Sequence, residues 1–119
     1  YIDIRYPVTY LKEDILSRIK RDFEDLYLID YHAPLYVSID DKYIKSLENV
    51  FTSYTGKEFK PISIGGGTLA RAFKKAVAFG PLLDINDNVA HREDEYIKIE
   101  SLIDTYNIYY LSLKEMLNI

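Results

Sequence analysis

At 119 residues and 48% hydrophobic content, the chain is long enough to bury one core, which argues against a disordered or fibrous protein. Its net charge of -4, with lysines and arginines interleaved among acids, argues against a nucleic-acid partner. The lack of cysteine excludes thiol catalysis, disulfide bonds and thiolate metal ligands, which leaves His, Asp and Glu as the strong metal ligands.

The first 33 residues predict a strand, a helix and a second strand. Residues 2–8 alternate apolar and polar side chains, which is typical of a strand with one buried face. From Leu11 to Leu26 the apolar residues take helical spacing, and residues 27–31 again indicate a strand. Because the chain opens on Tyr1 in mid-pattern, we expect a fragment of a larger protein, in which this unit forms half of a small sandwich.

A domain boundary is predicted near Pro34, since a proline disfavours helix in the residue before it. Beyond it, Asp40 or Asp41 can cap a helix that ends at Gly56, the residue type with which helices commonly stop. The apolar face of this helix consists of Ile44, Leu47, Phe51 and Tyr54.

The remaining residues predict an α/β arrangement. A short strand over residues 61–64 leads through three glycines into a short helix over residues 69–75, and residues 76–80 indicate a buried strand. A last helix is predicted from about Ser101. Its predicted apolar face consists of Leu102, Tyr106, Tyr110, Leu113 and Leu117.

The three glycines Gly65, Gly66 and Gly67 are the first candidate for a binding site. Successive backbone N–H groups of such a run can cradle a phosphate or a carboxylate. The run lacks the Lys-Ser/Thr ending of a phosphate-binding loop and the spaced glycines of a dinucleotide site. Judged from these residues alone, a tight structural turn is as good an interpretation as a ligand-binding loop.

Two further side chains are candidates for a site. His91 lies in or beside a loop after the last predicted strand, where a neutral imidazole can bind zinc; the alternative is a surface histidine among the acids of residues 93–95. Arg5 either pairs with Asp3 at the surface or clamps a carboxylate with its planar fork.

Five segments, in this order, resemble the C-terminal part of bacterial dipeptidases of the peptidase V type, which belong to the co-catalytic zinc peptidase family with carnosinases and aminoacylases. The segments are Asp3-Ile4-Arg5-Tyr6-Pro7, Pro34-Leu35-Tyr36-Val37, Gly65-Gly66-Gly67-Thr68-Leu69-Ala70-Arg71, Ala76-Val77-Ala78-Phe79-Gly80-Pro81, and His91 followed by Asp94-Glu95-Tyr96-Ile97. The resemblance covers essentially the whole chain.

The resemblance implies a two-domain α/β enzyme. Residues 1–33 would be the end of a ferredoxin-like α+β lid, and residues 34–119 the C-terminal portion of the zinc-peptidase catalytic domain. In that family two zinc ions, or alternatively manganese or cobalt, support hydrolysis of unblocked dipeptides. The implied partner is the upstream remainder of the enzyme, which would carry the other ligands and the general base, so this fragment is expected to hold no catalytic residue and to be inactive.

The resemblance also implies a role for each candidate residue. His91 matches the last metal ligand of the family, and Arg5 matches the lid arginine that contacts the bound dipeptide. Gly66, Gly67 and Thr68 match the loop that offers backbone and hydroxyl donors to the carboxylate of the substrate.

The alternative to a dipeptidase fragment comes from a different class of protein. It is a non-catalytic domain that binds a small anion at the glycines or dimerises through its strand-helix-strand unit. With either function we expect a cytoplasmic protein without a membrane partner, since no apolar run reaches the roughly 20 residues that cross a bilayer and no signal-peptide pattern opens the chain.

Overall fold

The computed structural model describes residues 1–80 and 82–118, apart from the side chain of Ile85. Pro81, which closes one of the segments that carry the resemblance, lies outside the described residues. Within these residues the chain forms three α-helices, α1 (Lys12–Lys20), α2 (Lys42–Thr55) and α3 (Ile99–Leu117). Two short 3-10 helices cover Leu69–Ala72 and Ile85–Asp87.

Helix α1 is shorter than the apolar spacing predicts, because it ends at Lys20 rather than near Leu26. The chain then continues in turns, in which the N–H groups of Asp22 and Phe23 both donate to the carbonyl of Ile19 at 3.0 Å. No residue of α1 is buried. Packing therefore does not extend the helix through the following residues, of which Asp22 and Asp25 are weak helix formers.

Helix α2 begins and ends as predicted. The Asp41 carboxylate accepts a hydrogen bond from the N–H of Tyr43 at 3.0 Å and so caps the first turn. Gly56 closes the helix with a φ of 67°, in the left-handed region that glycine enters without a Cβ clash, and its N–H donates to the carbonyl of Thr52. The local sequence thus sets both ends of α2.

Helices α2 and α3 pack against each other and bury Ile44, Leu47 and Ile108. Beyond this core, Tyr54 of α2 donates to the Asp104 carboxylate and accepts from the Asn107 amide of α3, both at 2.9 Å. The contact between the helices therefore combines a small apolar core with a polar cluster at its margin.

The predicted apolar face of α3 is wrong for this chain. Its members are exposed, with 69% of Tyr106 and 86% of Leu117 accessible. The buried face carries Thr105, Ile108 and Ser112 instead. Small side chains let α2 approach closely, so the partner helix decides which face is buried, and apolar periodicity by itself does not.

The four predicted strands are not formed, because residues 1–80 and 82–118 contain no β-strand. A strand needs a neighbour that takes up its backbone N–H and C=O groups, and none of these segments pairs with another in the described residues. The predicted α/β class is therefore not seen in this chain, whose regular elements are all helical in the described part.

The chain divides into two compact units. The first consists of Tyr1–Val37 and Ser63–Val77, and the second of Ser38–Ile62 and Ala78–Ile119. The glycines at 65–67 thus belong with the N-terminal residues, whereas His91 belongs to the unit built around α2 and α3. The boundary that the sequence predicts after residue 33 stays a prediction.

Candidate functional site

Arg5 reaches the glycines within the first unit. Its Nη1 donates a hydrogen bond of 2.6 Å to the carbonyl oxygen of Gly65, across 60 positions of sequence. The Arg5 Cδ would also lie 3.9 Å from a Cβ built on Gly65, which is ordinary van der Waals contact. The structure thus brings together two candidates that the sequence predicts separately.

Arg5 also pairs with Asp3, as the alternative interpretation expects. Its Nε and Nη2 donate to the same carboxylate oxygen, Oδ2, at 3.3 and 3.1 Å. Both side chains are well exposed, 63% for Arg5 and 75% for Asp3. The structure therefore shows the pairing with Asp3, and a different edge of the Arg5 guanidinium contacts the Gly65 carbonyl. Contact between Arg5 and a ligand carboxylate stays a prediction.

We call Gly65–Thr68 the glycine loop. None of its three glycines has a positive φ, so the backbone conformation does not require glycine there. A Cβ on Gly66 or Gly67 would meet no atom within 4 Å. In the part of the chain that the structure describes, nothing accepts a hydrogen bond from the N–H of either residue. Neither strain nor crowding within the chain explains these glycines, and their N–H groups are available to a ligand.

Thr68 closes the glycine loop. Its Oγ1 accepts a hydrogen bond of 3.3 Å from the N–H of Ala70 and thereby caps the 3-10 helix Leu69–Ala72. The hydroxyl acts as an acceptor in this bond, so its own hydrogen stays free to donate. Thr68 can therefore hold the loop and offer a donor beside it.

His91 lies in a tight, exposed turn of the second unit. Its φ is 61°, and that of Asp94 is 59°, so two residues with a Cβ adopt the left-handed conformation within four positions. The N–H of His91 donates to the Glu95 carboxylate at 3.2 Å. Such conformations carry a cost and are frequent at functional sites, although His and Asp enter this region more readily than most residues.

An ion pair holds the segment that contains His91. Lys98 Nζ lies 2.8 Å from each carboxylate oxygen of Asp87, which links the two ends of a segment 11 positions long. The Asp87 carboxylate raises the pKa of Lys98. Next to it, hydrogen bonds from Asn86, first from its N–H, lower the pKa of the Asp84 carboxyl. Polar contacts therefore lie on both sides of His91 in the chain.

The described residues do not form a metal site by themselves. No group of three or more His, Asp or Glu side chains in residues 1–80 and 82–118 lies close enough together to hold a metal ion. A structural or catalytic zinc ion takes at least three protein ligands. A metal centre that included His91 would therefore need further ligands from outside the described residues.

The glycine run includes Gly65, but the resemblance assigns a role only to the next three residues. The carbonyl that accepts from Arg5 belongs to Gly65. Glu95, in turn, is more than a solvated acid, because it accepts from the main chain of His91.

A cavity of about 230 Å³ also lies in the first unit, and its lining does not include Arg5 or the glycine loop. Its lining includes Tyr6, Lys12 and Tyr31. Tyr6 donates to the Tyr31 hydroxyl at 3.1 Å, and the Lys12 ammonium lies 4.6 Å from the centre of the Tyr31 ring. These contacts link α1 to the two extended segments on either side of it.

Comparison with known proteins gives relatives that are named putative dipeptidases. The chain is 39% identical over 116 residues to a Bacillus subtilis protein named "Putative dipeptidase YtjP", an overlap of 97% of this chain and 25% of that protein. It is 34% identical to a putative dipeptidase of Staphylococcus saprophyticus and 35% identical to one of Staphylococcus epidermidis, over 97% and 91% of this chain. The chain spans about a quarter of the length of these curated relatives.

Two other comparisons gave nothing, since no family model and no solved structure matches the chain. None of the helices in the described residues combines the length and the apolar character that a membrane crossing requires. Similarity to part of proteins named putative dipeptidases is thus the functional information that the comparisons add.

Proposed function

We propose that this chain is the C-terminal part of a zinc-dependent dipeptidase that hydrolyses unblocked dipeptides. The observation that carries the proposal is the hydrogen bond from Arg5 to the Gly65 carbonyl, which joins a cationic fork to a loop with free backbone donors. Similarity over nearly the whole chain to proteins named putative dipeptidases supports it.

The glycine loop and Arg5 would bind the C-terminal carboxylate of the dipeptide. Backbone N–H groups and a guanidinium both donate to a carboxylate, and hydrogen bonds with a charged partner are about twice as strong as neutral ones. The bare backbone at Gly66 and Gly67 leaves room for the carboxylate to approach. Thr68 would add its hydroxyl hydrogen.

His91 would hold one of two metal ions, for which zinc is the proposed choice and manganese or cobalt the alternatives. Bound at that centre, the metal would polarise the scissile carbonyl and lower the pKa of the attacking water. The other ligands and the general base would come from the rest of a longer protein, and this chain alone would be inactive. In that protein, the extended segments at residues 2–8 and 27–31 would pair with strands of the lid.

The test is hydrolysis by the full-length protein that contains this sequence. We expect cleavage of a dipeptide such as Ala-Ala, much slower cleavage of its N-acetyl derivative and C-terminal amide, and loss of activity on chelation that added zinc restores. Cleavage that survives complete metal removal would refute the proposed chemistry.

A non-catalytic anion-binding domain is the second candidate, favoured by the free N–H groups of Gly66 and Gly67. It predicts that the full-length protein binds acetate or a dipeptide without turnover, whatever metal is supplied. The same hydrolysis assay therefore separates the two functions.

A further inference from the structure

The contacts of Arg5 with Asp3 differ in kind from its contact with Gly65. On one side, Nη1 makes a short bond of 2.6 Å to a carbonyl oxygen. On the other, Nε and Nη2 share one oxygen of Asp3 at 3.3 and 3.1 Å. The bond to Gly65 already orients the guanidinium, so Asp3 is not needed to position it.

The Nε and Nη2 edge is one that can form two parallel hydrogen bonds with a carboxylate. Good bonds of this kind measure about 2.7–2.9 Å and use both oxygens. The Asp3 contacts are longer and converge on a single oxygen. Both partners are also largely exposed, and exposed ion pairs contribute little because water and salt screen them.

From these contacts we infer that Asp3 is an internal competitor for the substrate carboxylate. It occupies the Nε and Nη2 edge of Arg5 when no ligand is bound, and a ligand carboxylate that uses both oxygens displaces it. The inference rests on the proposed function, because the ligand is taken to be a peptide with a free C-terminal carboxylate. Asp3 then sets the affinity for such ligands and has no part in the chemical step.

The test is the Asp3→Asn substitution in the full-length protein, which keeps the size of the side chain and removes its charge. Without the Asp3 charge, the Nε and Nη2 edge of Arg5 is open to the ligand, so KM for a free dipeptide is expected to fall about two- to fivefold with kcat unchanged. This factor corresponds to the small free energy that an exposed ion pair contributes. KM for the C-terminal amide of the same dipeptide is expected to stay the same, since that ligand has no carboxylate for the edge.

Two controls test whether the change in KM arises from the contact between Asp3 and Arg5. Asp25→Asn makes the same charge change in the same unit, at an exposed residue that is not a hydrogen-bond partner of Arg5 among the described residues, and should leave KM unchanged. In an Arg5→Ala background, Asp3→Asn should no longer lower KM, because the edge for which the two carboxylates compete is gone.

The outcomes distinguish the inference from the proposed function. If the unmodified protein cleaves dipeptides while Asp3→Asn leaves KM unchanged, Asp3 is a bystander and the inference fails alone. If Asp3→Asn raises KM, Asp3 orients Arg5 and the inference is wrong. If the unmodified protein neither cleaves nor binds dipeptides, the proposed function fails and the inference fails with it.

Discussion

Arg5 donates a hydrogen bond of 2.6 Å to the carbonyl oxygen of Gly65, and the two residues are 60 positions apart in the sequence. This bond places the Arg5 guanidinium against the glycine loop. The N–H groups of the next two glycines have no acceptor among the described residues. A carboxylate ligand could accept hydrogen bonds both from the Arg5 guanidinium and from these two N–H groups.

Replacement of Arg5 tests the carboxylate-binding role. Hydrogen bonds to charged groups contribute about 1.5–3 kcal/mol, so we expect Arg5→Ala to lower kcat/KM for a dipeptide by about ten- to hundredfold in the full-length protein. Arg5→Lys should recover little of this, because an ammonium cannot form the planar fork. Kinetics and metal analysis of the same samples are the measurements. Loss of metal from Arg5→Ala would mean that the residue is structural.

A pair of glycine substitutions separates ligand binding from folding. Gly67→Ala should leave the free energy of unfolding unchanged or raise it by up to about 1 kcal/mol, because no positive φ or neighbouring atom opposes a Cβ. Dipeptide hydrolysis should nevertheless fall, since the methyl group would lie where the ligand approaches.

Gly56→Ala is the matched control for Gly67→Ala. Its φ of 67° makes a Cβ unfavourable, by about 1–2 kcal/mol, so this variant should lose stability while the folded protein keeps its activity. Denaturant titrations and kinetics measure both effects. A Gly67→Ala variant with normal activity would contradict the proposed role of the loop.

Two substitutions at His91 distinguish a metal ligand from a strained turn residue. His91→Ala and His91→Gly should both lower the metal content of the full-length protein and remove most activity. The free energy of unfolding of His91→Gly should exceed that of His91→Ala by about 1 kcal/mol, because glycine accepts a φ of 61° without strain. Metal analysis and thermal unfolding are the measurements.

Asp94→Gly is the control for the turn, since Asp94 has a φ of 59° and no proposed role at the metal. This variant should change the free energy of unfolding by less than about 1 kcal/mol, because the relief of strain and the greater backbone entropy of glycine oppose each other, and it should keep its metal. Normal metal content and turnover in His91→Ala would refute the assignment of His91 as a ligand.

The hydrogen bond between Tyr6 and Tyr31 in the first unit makes the stability of the protein depend on pH in the alkaline range. The hydrogen bond to the Tyr31 hydroxyl raises the pKa of Tyr6 from 10.0 to about 12. Because the pKa is higher in the folded state, the stability from this bond is complete below pH 10.0 and is lost as the pH rises towards about 12.

NMR titration of the tyrosine ring carbons measures this shift directly. Tyr31→Phe should return the pKa of Tyr6 towards its usual value, whereas Tyr10→Phe, which replaces another tyrosine of the same unit, should leave it raised. An ordinary pKa for Tyr6 in the unmodified protein would contradict the hydrogen bond.

Helix α2 could be predicted almost completely because its signals are local. The Asp41 side chain and the Gly56 backbone each act within one turn of the helix, and no distant residue is needed to read them. The face of α3 could not be predicted, because Leu102 and Tyr106 compete with Thr105 and Ser112, and the choice depends on where α2 lies.

The candidate residues could be named from the sequence, and one of their contacts could be predicted. Motifs and the resemblance pointed to Arg5, Gly66, Gly67, Thr68 and His91, whose roles stay predictions. The pairing of Arg5 with Asp3 was one of the expected alternatives, whereas its contact with Gly65 depends on the path of the chain between them. The predicted strands failed for a related reason, since a strand forms only where another lies beside it.

The sequence by itself determined the ends of α2 and singled out the glycine loop, Arg5 and His91, because caps, glycines and ligand-type side chains act over a few residues. The tertiary structure alone decided that Arg5 lies against Gly65, that Thr105 and Ser112 of α3 are buried, and that His91 adopts a left-handed φ. These features depend on which distant segments of the chain pack together, and the periodicity of the local sequence does not predict that packing.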